Sequence, residues 1–179
     1  MNVLRRTTLV QSPGGVRDPW VFLVALAVQL VALRGFWDLP PTAIKAALAF
    51  SYGLISVGVV RNWRWWGMRL IGLGIVLNLA AMVANGGLMP VSPETVAQAG
   101  LEGRIAQVQL GEYIPRSKGL LQAAPAIRLE WLSDSIPIRP IHRVVSPGDV
   151  VIVFGFLFFL MEAFRSRPWA KPNAFGGSR

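Results

Sequence analysis

Four long apolar runs constrain the fold of this 179-residue chain more than any other feature. They are residues 20–33, 43–60, 70–84 and 150–164. Apart from Lys45 and Glu162 near the ends of two runs, they contain no charged side chain. A membrane-spanning helix needs about 20 mostly apolar residues, and interfacial flanks can complete a shorter run. The pattern therefore predicts four transmembrane helices, with the buried helices of a soluble protein as the alternative.

The positive charge of the chain, +9 in total, is distributed unevenly. Between residues 85 and 149, six cationic and six acidic side chains balance each other. The excess lies in Arg5, Arg6 and Arg17, in Arg61, Arg64 and Arg69, and in Arg165, Arg167, Lys171 and Arg179. Four spans bring these three groups to one side, and short loops rich in Lys and Arg stay cytoplasmic. We therefore expect both termini in the cytoplasm and the neutral segment outside.

The predicted fold class is an all-α membrane protein with four transmembrane helices and a partly helical extracytoplasmic cap between helices 3 and 4. Its parts are a basic tail (1–17), helices 1–3 (18–84), the cap segment (85–147), the fourth helix (148–164) and a second basic tail (165–179). The basic side chains flank apolar spans instead of forming a stripe with stacking aromatics, which argues against a nucleic-acid partner.

The stretch RNWRWWGMR (residues 61–69) places three arginines and three tryptophans between two apolar runs. Indole rings favour the headgroup zone of a bilayer, and arginines reach the lipid phosphates. The predicted headgroup contacts are Arg61, Trp63, Arg64, Trp65, Trp66 and Arg69. General anchoring explains this composition, and a specific site for anionic lipids on the cytoplasmic side is the sharper alternative.

Small residues in the third apolar run indicate close helix packing. Gly72 and Gly74 would let a neighbouring backbone approach, and Asn78 is expected to hydrogen-bond across helices. The runs place no charged group at mid-depth, which argues against a pump or an ion channel.

The cap segment begins with NGGLMPVSPE (residues 85–94), a predicted exit from the third helix. Asn85 ends the helix, the two glycines can adopt the left-handed conformation, and Pro90 prevents the helix from resuming. Ser92 is expected to cap a short helix over residues 93–99, and a second short helix is expected over 128–133. The motif SPGD (residues 146–149) predicts the start of the fourth helix, with Asp149 in a capping box.

Three motifs carry a family resemblance: NGGLMPVSPE, LSDSIPI (residues 132–138) and VVSPGDVVIVFG (residues 144–155). Together they resemble a family of small bacterial integral membrane proteins catalogued as a domain of unknown function. The resemblance covers residues 21–162 and departs from the family pattern at Ser133 and Pro147. It implies a multi-pass protein of the bacterial inner membrane but no particular chemistry.

Candidate chemistry is sparse. The chain has no cysteine, which excludes disulfides, thiolate catalysis and cysteine-held metal centres. His142 is the single histidine, so we predict no metal or cofactor, with ligation by His142 and nearby carboxylates as an open alternative. Ser133, Ser135 and Ser146 lie near His142 in sequence, but no nucleophile-elbow motif accompanies them.

Three functions remain open at this stage. The first is a non-catalytic accessory or scaffold subunit of a larger membrane assembly, for example a respiratory or photosynthetic complex, with other membrane subunits as partners. The second is a membrane protein that binds a lipid or a small ligand under the cap. Its expected pocket residues are Asn85, Met89, Trp131 and Asp134, and the same residues with Asp149 could instead be structural cap positions. A membrane enzyme ranks third.

Overall fold

The computed structural model describes residues 15–34 and 39–165, without the side chain of Arg34. Residues 1–14 and 166–179, most of the two predicted basic tails, lie outside the described residues. The helices are α1 (Pro19–Arg34), α2 (Pro41–Arg61), α3 (Trp66–Ala84), α4 (Pro93–Gln98), α5 (Glu102–Ile105) and α6 (Pro147–Arg165). The strands are β1 (Met89–Val91), β2 (Gly119–Leu121), β3 (Ile136–Ile138) and β4 (Arg143–Val145). Single-turn 3-10 helices occupy Ala124–Ala126, Glu130–Leu132 and Arg139–Ile141.

The long helices form a row in which each packs on its neighbour in chain order: α1 on α2, α2 on α3, and α3 most extensively on α6. Within the described residues α2, α3 and α6 are long and apolar enough to cross a membrane. Helix α1 is also apolar, but it has only 16 residues. The mostly helical fold is therefore confirmed, with three helices in the described residues long and apolar enough to span a membrane, while the count of four spans and the extracytoplasmic position of the cap segment stay predictions.

Glycines line the contact between α3 and α6. A Cβ atom built on Gly74 would lie 2.6 Å from the carbonyl oxygen of Gly148, and one on Gly155 would lie 2.7 Å from the backbone nitrogen of Ile71. Gly72 lies elsewhere, because a Cβ atom there would meet Val59 of α2 at 3.0 Å. The backbones of α3 and α6 are thus in direct contact, which side chains larger than hydrogen would prevent.

The loop that joins α2 to α3 (residues 62–65) marks one end of the bundle, called the loop end. There Glu162 of α6 accepts hydrogen bonds from the backbone nitrogens of Trp66 and Gly67, at 3.1 and 2.8 Å. These N–H groups have no partner inside α3, because they belong to its first turn. The one acidic residue of the fourth apolar run therefore caps the neighbouring helix.

The opposite end of the bundle, called the cap end, carries the cap segment. Gly86 and Gly87 have left-handed φ angles of 78° and 93°, and Gly87 N donates to Met82 O at 2.7 Å, which closes α3. The hydroxyl of Ser92 accepts from Thr95 N at 3.2 Å and caps α4. The chain then forms compact structure that folds back on the bundle.

Two small sheets depart from the expected all-α fold. Strand β1 pairs parallel with β2, and β3 pairs antiparallel with β4. The expected helix over residues 128–133 is reduced to the 3-10 turn Glu130–Leu132, preceded by Leu129 with φ at 53°. Three-residue strands that contain prolines have too short an alternating pattern to be read from a sequence.

Most of the core belongs to the bundle, and the cap segment contributes to it. Leu88, Met89 and Leu132 of the cap segment are buried in the same cluster as Ile44 and Leu48 of α2. A second, smaller cluster lies within the cap segment and consists of Val91, Val96, Ile114 and Leu121. The cap segment is therefore seated in the bundle and has a small core of its own.

Candidate functional site

The start of α6 is built as the SPGD motif predicts. Ser146 Oγ accepts from Asp149 N at 3.0 Å, and Asp149 Oδ2 accepts from Ser146 N at 3.3 Å, which together form a capping box. Asn78 of α3 joins this pair across the helix contact. Its Nδ2 donates to Asp149 Oδ1 at 2.7 Å, and its Oδ1 accepts from Ser146 Oγ at 2.7 Å. The fully buried Asn78 therefore ties α3 to the first turn of α6.

Lys118, just before β2, adds a positive charge to this group. Its ammonium nitrogen lies 3.0 Å from Asp149 Oδ2 and 3.7 Å from Asp134 Oδ1. The β1–β2 pairing puts Lys118 there, since Lys118 O accepts from Met89 N at 2.9 Å. Tyr52 of α2 lies beside Asn78 and faces the same three charges. We call Tyr52, Asn78, Lys118, Asp134, Ser146 and Asp149 the polar cluster.

Two carboxylates share one ammonium group in the polar cluster, and the electrostatics reflect this. Burial raises the pKa of Asp134 from an ordinary 3.8 to about 6, although the positive charge of Lys118 acts in the opposite direction. Burial alone would lower the pKa of Lys118, but Asp134 and Asp149 hold that pKa above its ordinary value. Lys118 is therefore fully charged at neutral pH, whereas the pKa of Asp134 lies close to neutral pH.

A cavity of about 250 Å³ adjoins the polar cluster, with Lys118 and Asp134 in its wall. Its apolar lining includes the buried side chains of Val91, Val96 and Ile114. The other polar and charged residues in its wall are Arg104, Arg116, Ser117, His142 and Arg143. Leu33, near the cap end of α1, also borders it. The cavity is thus apolar inside and basic at its exposed side, and it touches a bundle helix.

His142 lies in the cavity wall in an unusual backbone conformation, with φ at 48°. Among the described residues no group of three or more His, Asp and Glu side chains is placed to hold a metal ion. The neighbouring serines have other partners: Ser133 Oγ donates to Glu130 O at 2.6 Å, and Ser146 Oγ donates to Asn78. Ser117 Oγ, also in the cavity wall, donates to Ile114 O at 2.8 Å, so no side-chain hydrogen bond joins a serine or a carboxylate to His142 within the described residues.

The pocket expected from the sequence differs from the cavity observed, because Asp134 alone of its four residues lines the cavity. Met89 is completely buried in the bundle core, and the side chain of Trp131 is 67% exposed. Asn85 accepts from Arg128 N at 2.9 Å and donates to Arg128 O and Ala81 O at 2.8 and 2.7 Å. Asn85 therefore holds the end of α3 against the cap segment.

The aromatic and basic residues of the loop end have two different environments. Trp63 and Trp66 are 50% and 60% exposed, and the guanidinium group of Arg69 lies 4.2 Å from the ring centre of Trp66. Trp65 instead is buried and packs edge-on against Phe159 of α6, with the ring centres 5.4 Å apart.

Two of the three arginines of the loop end hold the segment that precedes α1. Arg61 Nε pairs with Asp18 Oδ2 at 2.6 Å, and Arg64 donates to Gly15 O. Of the predicted headgroup set, Arg61, Trp63, Arg64 and Trp66 are therefore exposed, Arg69 is half-buried, and Trp65 alone is buried.

Sequence reasoning missed Lys118, Tyr52 and the arginines of the cavity. Lys118 is the single lysine between residues 85 and 149, where every other cation is arginine, and this is the one weak signal that could have singled it out. Tyr52 lies in an apolar run with no feature that sets it apart. Both acquire their role from contacts across the fold.

Comparison with known proteins places the chain among relatives without an assigned function. A family of unknown function (DUF5317) matches residues 15–161. The chain belongs to this family. The predicted membership in an uncharacterised family is thereby confirmed. An uncharacterized protein of Thermotoga maritima is 27% identical over 128 residues, covering 69% of this chain and 68% of that protein.

No solved structure matches the chain. The DUF5317 region includes α1, α2, α3, the whole cap segment and most of α6. The polar cluster and the cavity therefore both fall within the part of the chain that defines the family.

Proposed function

We propose that this DUF5317 protein is a four-span protein of the bacterial inner membrane that binds a lipid or another small amphipathic ligand under its cap. In this arrangement the cap end faces the outside and both termini are cytoplasmic. The charge asymmetry supports this orientation, because most of the excess of Arg and Lys is concentrated in the loop end and the two tails.

The observation that carries the proposal is the amphipathic cavity. Ligand sites are concave, mostly apolar, and carry a few convergent polar groups. The cavity combines an apolar lining of the buried side chains Val91, Val96 and Ile114 with charged groups at its exposed side. A ligand with one apolar and one polar part matches both surfaces.

The polar cluster supports the proposal because it gives the cavity a fixed shape. Lys118 links the β1–β2 sheet to Asp134 and to Asp149 at the start of α6. Buried hydrogen-bonded charges of this kind hold a single arrangement when their partners are in place. The cap segment is thus fastened to the bundle on the side where the cavity lies, so a ligand would meet a largely preformed site.

The accessory-subunit hypothesis has no comparable support in the geometry. Helix α6 exposes Phe154, Phe156 and Phe164, but lipid tails would cover such a surface as well as another subunit would. At the loop end, Trp63 and Trp66 are exposed and the guanidinium group of Arg69 lies over the ring of Trp66. This arrangement suits an interfacial anchor that contacts anionic headgroups on the cytoplasmic side.

The proposal is tested by filling the cavity. Val144 of β4 lines it and is half-buried, whereas Ile141, three residues earlier, is 61% exposed and does not line it. Full-length parent, Val144→Trp and Ile141→Trp proteins would be extracted in a gentle detergent and weighed by native mass spectrometry. We expect a bound small molecule on the parent and on Ile141→Trp, and its loss from Val144→Trp.

Two results would count against ligand binding. Equal bound mass on all three proteins would place the ligand outside the cavity. A parent protein that carries no small molecule and migrates with other membrane proteins would favour the accessory-subunit hypothesis instead. Circular dichroism of both tryptophan variants checks that they are folded.

A further inference from the structure

The charges of the cap segment are sorted by the fold. Residues 85–149 hold six cations and six acids, and composition alone would distribute both signs evenly. Four of the six cations line the cavity, whereas Asp134 is the single acid that does. A segment with no net charge therefore folds so that one concave surface is strongly positive.

Among the described residues, acidic side chains neutralise Lys118 but not the three arginines of this positive surface. Lys118 is engaged by Asp134 and Asp149. Arg116 and Arg143 make no ion pair or side-chain hydrogen bond with any residue that the structure describes. Arg104 has one long contact of 3.4 Å, from its Nη2 to Pro115 O. Three guanidinium groups thus border an apolar cavity with most of their donors unused.

The acidic residues of the cap segment could have paired with these arginines, but they lie elsewhere. Glu112 accepts a hydrogen bond from Gln109 N at 2.9 Å, and neither Glu94 nor Glu102 lines the cavity. Since oppositely charged groups attract, these arginines beside an apolar surface favour an anionic ligand.

We propose that the ligand is an amphiphile with a phosphate headgroup. Its phosphate would be held by Arg104, Arg116 and Arg143, and its adjoining apolar part would lie on Val91, Val96 and Ile114. This inference rests on the proposed function and narrows it to one ligand class. Guanidinium groups match phosphate oxygens with paired hydrogen bonds, and three of them exceed what the two oxygens and single charge of a carboxylate require.

The size and position of the cavity indicate how much of the ligand it holds. Its volume of about 250 Å³ is below the range of about 300–1,000 Å³ that is usual for pockets enclosing whole small molecules. The headgroup and the first carbons fit, and the rest of the chain has to leave. Leu33 of α1 borders the cavity, so the chain can leave along a bundle helix toward the lipid tails.

Isothermal titration with three probes tests the inference on the full-length protein in dodecyl maltoside. The probes are octyl phosphate, octyl glucoside, which has the same chain without the charge, and inorganic phosphate, which lacks the chain. We expect octyl phosphate to bind most tightly and to weaken as salt is added. Arg116→Gln and Arg143→Gln should each weaken it roughly tenfold or more, because each removes a charge-assisted contact.

Arg139→Gln is the matched control, since Arg139 is exposed in the same cap segment but does not line the cavity. Its affinity for octyl phosphate should equal that of the parent. Thermal unfolding of each variant shows whether the fold is retained. Both cavity arginines have exposed side chains, so their removal should not unfold the protein.

The remaining outcomes separate this inference from the proposed function. If inorganic phosphate binds as tightly as octyl phosphate and is lost in the same two variants, the amphiphile is overturned because its chain contributes no affinity, and the arginines hold a phosphate from the aqueous phase instead. If octyl glucoside binds as well as octyl phosphate and neither substitution matters, the inference is overturned while ligand binding in the cavity stands. If no probe binds, the inference is overturned, and the Val144→Trp comparison decides the proposed function by itself.

Discussion

The contact between α3 and α6 allows a quantitative prediction for Gly74→Ala. The new Cβ atom would lie 2.6 Å from Gly148 O, 2.7 Å from Ile152 Cγ1 and 2.9 Å from Ile152 N. Two of these three atoms belong to the backbone of α6, so a rotamer change cannot relieve the overlap. Ordinary contacts begin at about 3.4 Å, so the two helices would have to separate locally by about 0.8 Å.

This separation would also strain the polar cluster. Gly148 lies between Ser146, which caps α6, and Asp149 of its first turn, and both side chains hydrogen-bond to Asn78 at 2.7 Å. A displacement of that size would bring them to the limit of hydrogen bonding. Overpacking costs about 1–3 kcal/mol, and hydrogen bonds between membrane helices contribute about 0.6 kcal/mol each. We therefore expect Gly74→Ala to lower the free energy of unfolding by roughly 2–4 kcal/mol.

The assay is unfolding by sodium dodecyl sulfate in mixed micelles, followed by circular dichroism. Gly53→Ala is the matched control, because Gly53 is exposed on α2 and a Cβ atom there meets nothing within 4 Å. The control should be neutral or stabilising by up to about 1 kcal/mol, since alanine favours helix more than glycine does. Equal unfolding free energies for the two variants would refute the close backbone contact between α3 and α6.

Three further predictions concern the cap end, and a fourth concerns the orientation of the chain in the membrane. Lys118→Met should lower the free energy of unfolding by about 3 kcal/mol in the same assay, because two carboxylates lose their shared cation. Adding Asp134→Asn to this variant should recover part of the loss. A Lys118→Met protein as stable as the parent would contradict the prediction.

Because the pKa of Asp134 is raised from 3.8 to about 6 in the fold, its protonation favours the folded state, and this stabilisation is lost as pH rises through about 6. The parent should therefore be more stable at pH 5 than at pH 7 by about 1 kcal/mol beyond any change in Asp134→Asn, and an equal pH dependence of the two proteins would refute the raised pKa. Asn85→Ala should cost about 1–2 kcal/mol, since it removes two hydrogen bonds to Arg128 of the cap segment and one to Ala81 O of α3. Unchanged stability would show that these bonds do not hold the end of α3 to the cap segment. Because the chain has no cysteine of its own, single cysteines can be introduced at Gln107 and at Ser166. On intact cells an impermeant thiol reagent should label the variant at Gln107 and not the variant at Ser166. Labelling at Ser166 instead would reverse the proposed orientation.

The helices and their boundaries were readable from the sequence because they depend on neighbours within one or two turns. Apolar runs predict helices in lipid, since only a helix satisfies its backbone hydrogen bonds within one segment. The Ser146–Asp149 capping box and the Ser92 cap span three residues each, and both are present. The strands of the cap segment were not readable, because each contributes three residues whose partner lies far along the chain.

By itself, the sequence determined the membrane-type helices, the charge asymmetry between the two ends of the bundle and the chemistry available to the chain, which has a single histidine and no cysteine. Only the tertiary structure decided which groups meet. Lys118 reaches Asp149 across 31 residues, and Asn78 reaches it across 71. Four cations gather around one cavity although their segment is neutral. Such contacts result from how the cap segment packs on the bundle, which is the sum of many weak long-range interactions, and no local pattern of residues encodes them.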